Sequence, residues 1–156
     1  MTRDKLAFVS FEPSEGQFRA FLSMEGLFST ENDPELVLRE AARLYERSMK
    51  SILSSIAEIR ACRTNRKLVP ARKIWQVGDG IFELSNELAK LGLQLNDLYG
   101  HLVRDLGAKR KWLEKAVIFR RYLPVEAAIP KSLNWGRCEK GTRRKAEHLA
   151  NGLPVN

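Results

Sequence analysis

The chain has 156 residues, of which 44% are hydrophobic, and a formal net charge of +8. That length and apolar content suit one folded domain with a real core and exclude a generally disordered chain. The two cysteines, Cys62 and Cys138, are far apart with no histidine cluster nearby, which argues against a zinc site or a disulfide framework and reads as two reduced thiols.

The charge is unevenly spread. Residues 1–59 carry 7 Lys/Arg against 10 Asp/Glu, a net of −3, and residues 60–156 carry 20 against 9, a net of +11. A positive field confined to one part of a chain favours a polyanion partner, with a merely solvated basic surface as the alternative. At the N-terminus Arg3, Asp4 and Lys5 precede no apolar run long enough for a signal peptide. No segment approaches the roughly 20 apolar residues that span a bilayer. A cytoplasmic protein with no membrane partner is expected.

In chain order, residues 1–31 are expected to form an N-terminal arm. Within it, Lys5–Phe11 is compatible with a short strand and Gln17–Phe28 with a helix interrupted by Gly26. Residues 32–156 are expected to be a helical nucleic-acid-binding domain. Asn32-Asp33-Pro34-Glu35 reads as a helix start: a capping side chain, proline in the first turn, then an acid near the positive end. Leu38, Ala42, Tyr45, Met49, Ile52, Ile56 and Ile59 follow at alternating steps of 4 and 3, a stripe along a long helix. It reads as a core-facing helix of one subunit or, alternatively, as a seam for a homodimer or larger assembly.

Arg60–Lys73 is a basic connector holding Arg60, Arg63, Arg66, Lys67, Arg72 and Lys73 and no acid. Pro70 is expected to open a second long helix striped by Ile74, Val77, Ile81, Leu84, Leu88 and Leu91 and ended by Gly92. The two long helices would pack antiparallel, with the connector at one tip.

A shorter pair follows and resembles a helix-turn-helix. The first helix is expected over 95–106, with Leu95, Leu98, Tyr99, Leu102, Val103 and Leu106 on the apolar face and Asp97, His101 and Arg104 opposite. Gly107 supplies the turn. The second is expected over 108–123, striped by Trp112, Leu113, Ala116, Phe119 and Leu123 and stopped by Pro124. Val117 and Ile118 lie off that stripe, which points to further burial. Lys109, Arg110 and Lys111 crowd the positive end of this helix, where cations are mildly unfavourable. In a helix-turn-helix the start of the second helix reaches base edges. Arg110 and Lys111 are therefore the candidate groove contacts, and Lys109, Lys115, Arg120 and Arg121 the candidate phosphate contacts.

The remaining segment reads as a loop over 129–136 anchored by Trp135, then a short helix capped by Thr142 and followed by Gly152. Arg143, Arg144 and Lys145, with Arg137 and Lys140, form a second basic cluster. Together with Arg63, Arg66 and Lys67 these complete the expected nucleic-acid-binding residues.

On these residues the chain resembles the N-terminal helical domain of YhcG-type nucleases. The matching positions are Trp75-Gln76-Val77-Gly78 with Ile81, then Gly92, Leu98, Leu102 and Asp105-Leu106, and late in the chain Leu133-Asn134-Trp135-Gly136 followed by Arg144 and Gly152. The resemblance covers about residues 70–152. It implies a DNA-recognition domain and the company of restriction, phage-defence or mobile-element systems. The family continues into a restriction-type nuclease domain, and no spaced Asp…Glu-x-Lys set is legible in these residues, so the expectation is recognition without cleavage.

Other chemistry is weakly signalled. His101 and His148 are isolated, no nucleophile–base pattern is legible, and Gly78-Asp79-Gly80 lies in a helical stretch without the strand a phosphate loop requires. Asp79 and Glu83 stand i, i+4 and read as solvated acids rather than metal ligands. The expectation is an all-α helical bundle that binds nucleic acid without catalysis, metal or cofactor. Duplex DNA is favoured and RNA is open. The alternatives are a basic structural subunit of an RNA-guided, CRISPR-type ribonucleoprotein and a protein-interaction adaptor using the Leu38–Ile59 stripe.

Overall fold

Helix α1 (Pro34–Thr64) begins where side-chain chemistry starts it: Asp33 Oδ1 accepts from the Glu35 backbone N–H at 3.0 Å, and Pro34 opens the first turn. The computed structural model describes residues 6–22 and 33–155. Pro70 precedes helix α2 (Ala71–Lys90), and Gly92 follows its end at φ +78°, a left-handed conformation that costs glycine least. Lys73 pairs with Glu58, and Gly80 sits against Ile52, so the two helices run antiparallel with residues 65–70 at their tip. Tyr45, Met49, Ile52, Ile56 and Ile59 of the first stripe are buried within the chain itself, and near the start of α1 the buried face shifts to Val37, Ala41 and Leu44. Of the stripe's first positions, Leu38 and Ala42 are only partly buried.

The chain is mainly helical, but it is not all-α. Ala7–Ser14 (β1) and Gln17–Leu22 (β2) form an antiparallel hairpin in register Ser14↔Gln17 to Val9↔Leu22. Glu15 and Gly16 turn it with φ +46° and +81°, and positive φ at both positions matches the twist of a two-residue hairpin. Leu93–Leu95 (β3) adds to the other side of β1 in parallel, giving the order β2-β1-β3. The described part of the expected arm, residues 6–22, is packed on the helices: Ala7, Val9 and Phe11 are fully buried, alternate along β1 and join the core of the bundle. Gln17–Leu22, expected to start a helix, is a strand because its partner β1 holds it extended. Residues 23–28 of that expected helix lie outside the described residues.

The same sheet shortens the next helix. Leu95 ends β3, Asp97 caps with φ +48°, and α3 covers Leu98–Leu106 only. Its buried face carries His101, Leu102 and Leu106, while Val103 is exposed, so the helix is turned from the face its apolar residues suggest. The reason is β1: the Phe11 backbone N–H donates to His101 Nε2 at 3.1 Å, and His101 Nδ1 lies 3.1 Å from the Asp97 carbonyl oxygen. Accepting at Nε2 requires a neutral ring with its proton on Nδ1.

Beside it, Tyr45 stacks on Phe11 and donates its hydroxyl hydrogen to Asp105, which also accepts from Arg104 Nε at 2.8 Å. Burial raises the Asp105 pKa, but the hydrogen bonds from Arg104 and Tyr45 outweigh it and hold the carboxyl below its ordinary value. A carboxyl depressed in the folded state stabilises fully above its unfolded pKa of about 3.9, and that stability is lost as pH falls through the folded value. Denaturant midpoints followed into acid should therefore fall less steeply for Asp105→Asn than for the parent chain. Identical acid limbs would remove Asp105 from the acid response.

After Gly107, at φ +64°, α4 spans Arg110–Tyr122. Short 3-10 turns at Glu126–Ala128 and Trp135–Arg137 lead to α5 (Thr142–Ala150). Trp135 is buried and stacks on Phe119, ring centroids 5.4 Å apart, so it is a packing anchor. Thr142 does not cap α5: Gly141 holds that place, and the Thr142 hydroxyl donates back to the Cys138 and Glu139 carbonyl oxygens.

Candidate nucleic-acid interface

The tip of the α1–α2 hairpin and the α3–α4 turn meet. Arg60 Nη2 donates to the Gly107 carbonyl oxygen at 3.1 Å, a contact between residues 47 apart in sequence. The Arg63 guanidinium carbon stands 6.0 Å over the Trp112 ring. Between these segments lies a half-enclosed cleft of about 280 Å³ with Ile56, Ile59, Ala108 and Trp112 in its lining and Arg60, Arg63 and Lys109 as its cations. Arg66 and Lys67 are exposed just beyond the end of α1. Two basic segments that are separate in sequence thus become one surface.

Helix α4 is held centrally, packed most extensively on α2 and then on α5 and α3. A β-carbon on Gly78 would lie 2.6 Å from the Ala116 carbonyl carbon and nearer still to its oxygen, so only glycine lets α2 and α4 approach this closely. Leu113, Ala116, Val117, Phe119 and Leu123 are buried, and Ile118 is half-buried. The exposed strip of α4 is correspondingly narrow.

The six sequence-expected cations of this region have different situations. Arg120 is turned inward: its side chain is 11% exposed, donates to Asp79 at 2.7 Å, reaches Glu83 at 3.4 Å and covers the Phe82 ring at 4.3 Å. The two acids considered for a metal are thereby a guanidinium seat. Arg110 pairs with Glu114 at 2.7 Å and lies over Tyr99 at 5.4 Å, and hydrogen bonding to Glu114 raises its pKa further. Lys109, Lys111, Lys115 and Arg121 form no ion pair among the described residues, and of these only Lys115 is partly buried.

The C-terminal cluster adjoins the same helix. An open cleft of about 820 Å³ is lined by Lys115 and Ile118 of α4, by Lys140, and by Arg143 and Arg144 of α5, with Glu139 and Glu147 also present. Arg143 is committed to Glu147 at 2.9 Å and lies over the Tyr122 ring at 4.4 Å. Lys115, Lys140 and Arg144 remain without ion pairs among the described residues. Arg137 lines a different cavity, with Pro130, Leu133 and Pro154, and Lys145 is half-buried outside the cleft. These two are not gathered with the others.

No family model, curated protein or solved structure matches the chain. The surface is read from its own chemistry. From the tip cleft to the α5 cleft is about six residues of α4, or roughly 9 Å along its axis. Arg60 is the residue that sequence reasoning left off the binding surface. Its place in a run of cations marked it as basic, but the contact with Gly107 is tertiary and has no local signature. Burial pushes the Cys138 thiol up to about 11, which leaves it protonated and unreactive at neutral pH. Among the described residues no three His, Cys, Asp or Glu side chains gather as a metal site, and no helix is long and apolar enough to cross a membrane.

Proposed function

We propose that this is a non-enzymatic, cytoplasmic DNA-binding protein. Its basic surface runs from the hairpin tip along α4 to the start of α5. The observation that carries the reading is the convergence of three sequence-distant basic segments on one helix: Arg60 and Arg63, then Lys109, Lys111 and Lys115, then Lys140 and Arg144. Cations without carboxylate partners, arrayed over several ångströms, suit a phosphate backbone. The resemblance to the N-terminal domain of YhcG-type nucleases supports the same reading and suggests service in a restriction, phage-defence or mobile-element system. The residues of that resemblance have structural work in this fold: Gly78 admits α4, and Trp135 anchors the last loop.

One observation favours the alternative of a structural subunit in an RNA-guided ribonucleoprotein. Arg110, one of two candidate base readers, is held by Glu114 and Tyr99, and α4 presents only a narrow outer strip. That arrangement suits backbone contacts better than base reading.

A titration with duplex DNA, single-stranded DNA and RNA across a salt series separates these. DNA binding predicts steep salt dependence, and in Lys111→Gln/Lys115→Gln a slope flatter by about 2, since each phosphate contact contributes about 0.9. Equal affinity for RNA with no duplex preference favours the ribonucleoprotein reading. No binding to any of the three at moderate salt removes both.

A further inference from the structure

We propose that the cleft between the end of α1 and the α3–α4 turn receives one unstacked nucleobase, with the attached phosphate on its cationic rim. The proposal rests on the nucleic-acid reading above and adds that the ligand presents an unpaired nucleotide. The cleft combines an apolar floor (Ile56, Ile59, Ala108), an aromatic wall (Trp112) and the cations Arg60, Arg63 and Lys109, and no carboxylate lines it. At about 280 Å³ it has room for a single ring system and is just smaller than pockets for whole ligands, which run from about 300 Å³. An apolar pocket edged only by cations matches an anion that carries a flat apolar group, which is the chemistry of a nucleotide.

The spacing of Arg63 and Trp112 is the sharper observation. Arg120 lies 4.3 Å over Phe82 and Arg143 4.4 Å over Tyr122, Arg110 stands 5.4 Å from Tyr99, and Arg63 stands farthest from its ring, 6.0 Å from the centre of Trp112. A guanidinium and an indole thus edge one cleft, the two kinds of planar group on which bases stack. An acidic peptide with an aliphatic anchor shares the charge but not the flat apolar group.

The test uses tryptophan fluorescence of the full chain. Trp75 and Trp135 are 7% and 4% exposed, so Trp112 is the ring a ligand reaches. A short oligothymidylate, an abasic strand of equal length and a blunt duplex are titrated against the parent chain, Trp112→Phe and Ala108→Met. The last substitution fills the cleft floor, and circular dichroism checks that both variants are folded. The expected result is that oligothymidylate binds on the order of tenfold more tightly than the abasic strand and quenches fluorescence. The quench should vanish in Trp112→Phe, and Ala108→Met should erase the preference while leaving abasic-strand affinity intact. Equal affinity for both strands without quenching overturns the base pocket and leaves nucleic-acid binding standing. Failure of every nucleic acid to bind, with an acidic peptide binding instead, overturns both.

Discussion

Gly78→Leu is expected to unfold the chain or cost it at least about 3 kcal/mol, and Gly78→Ala to cost about 1–3 kcal/mol. Helix propensity alone argues the other way, since alanine in a helix interior is favoured over glycine by about 1 kcal/mol. The deciding contact is main chain. A β-carbon at Gly78 meets the carbonyl group of Ala116 and lies 3.1 Å from the Arg120 β-carbon, and a carbonyl in the middle of α4 cannot rotate aside. The two helices would have to separate, and the buried contacts of Trp75, Val77, Ala116 and Phe119 would loosen together. Gly80→Ala is the informative comparison. There the new carbon meets the Ile52 side chain at 2.5 Å, and a side chain can shift where backbone cannot, so the cost should be smaller. Urea denaturation of the two variants decides the matter. If Gly78→Ala is as stable as the parent chain, the α2–α4 approach is looser than described.

Arg120→Ala should lose about 2 kcal/mol of stability, whereas Arg120→Met should recover part of that and leave nucleic-acid affinity unchanged. Arg120 lies within the basic run of α4 and by sequence belongs with the phosphate contacts. In the fold it bridges α4 to α2, bonded to Asp79 and Glu83 and stacked on Phe82. Its removal strands Asp79, whose side chain is one-third exposed, so water offsets part of the lost pairing and the cost stays below that of a fully buried pair. Methionine keeps the apolar contact with Phe82 without the charge. Thermal melts and the salt-series titration, run on both variants, separate the two roles. A large affinity loss in a folded Arg120→Met protein would return Arg120 to the binding surface.

Some helix boundaries were legible because their determinants are local, whereas α1 runs on to Thr64 through the expected connector, α3 starts at Leu98 rather than Leu95, and Gly141 rather than Thr142 caps α5. Asp33 and Pro34 start α1, Pro70 starts α2, and Gly92 and Gly107 end their helices through backbone conformations that need no distant partner. The 3–4 stripes located the cores of α1 and α2 for the same reason. The sheet was not legible. Lys5–Phe11 had the composition of a strand, but β2, a local partner across the Glu15–Gly16 turn, read as helical by its residue types, and β3 at Leu93–Leu95 is remote, a pairing that leaves no periodic trace. His101 followed: an isolated polar residue on the outer face of a helical wheel is buried because a strand from the other end of the chain brings it a backbone N–H.

The candidate site divides along the same line. The order of residues alone determined that the chain has a core, that its net positive charge lies beyond residue 59, and which short segments concentrate it. Only the tertiary structure decided which cations are available. Arg120 was drawn inward by Asp79, Arg110 and Arg143 were paired with acids one turn along their own helices, and Arg137 was set on a separate cavity. Arg60, Arg63 and Lys109 were brought to one cleft. The physical reason is that charge is a property of each residue, whereas its partners are set by contacts between segments that only the folded chain brings within a few ångströms of one another.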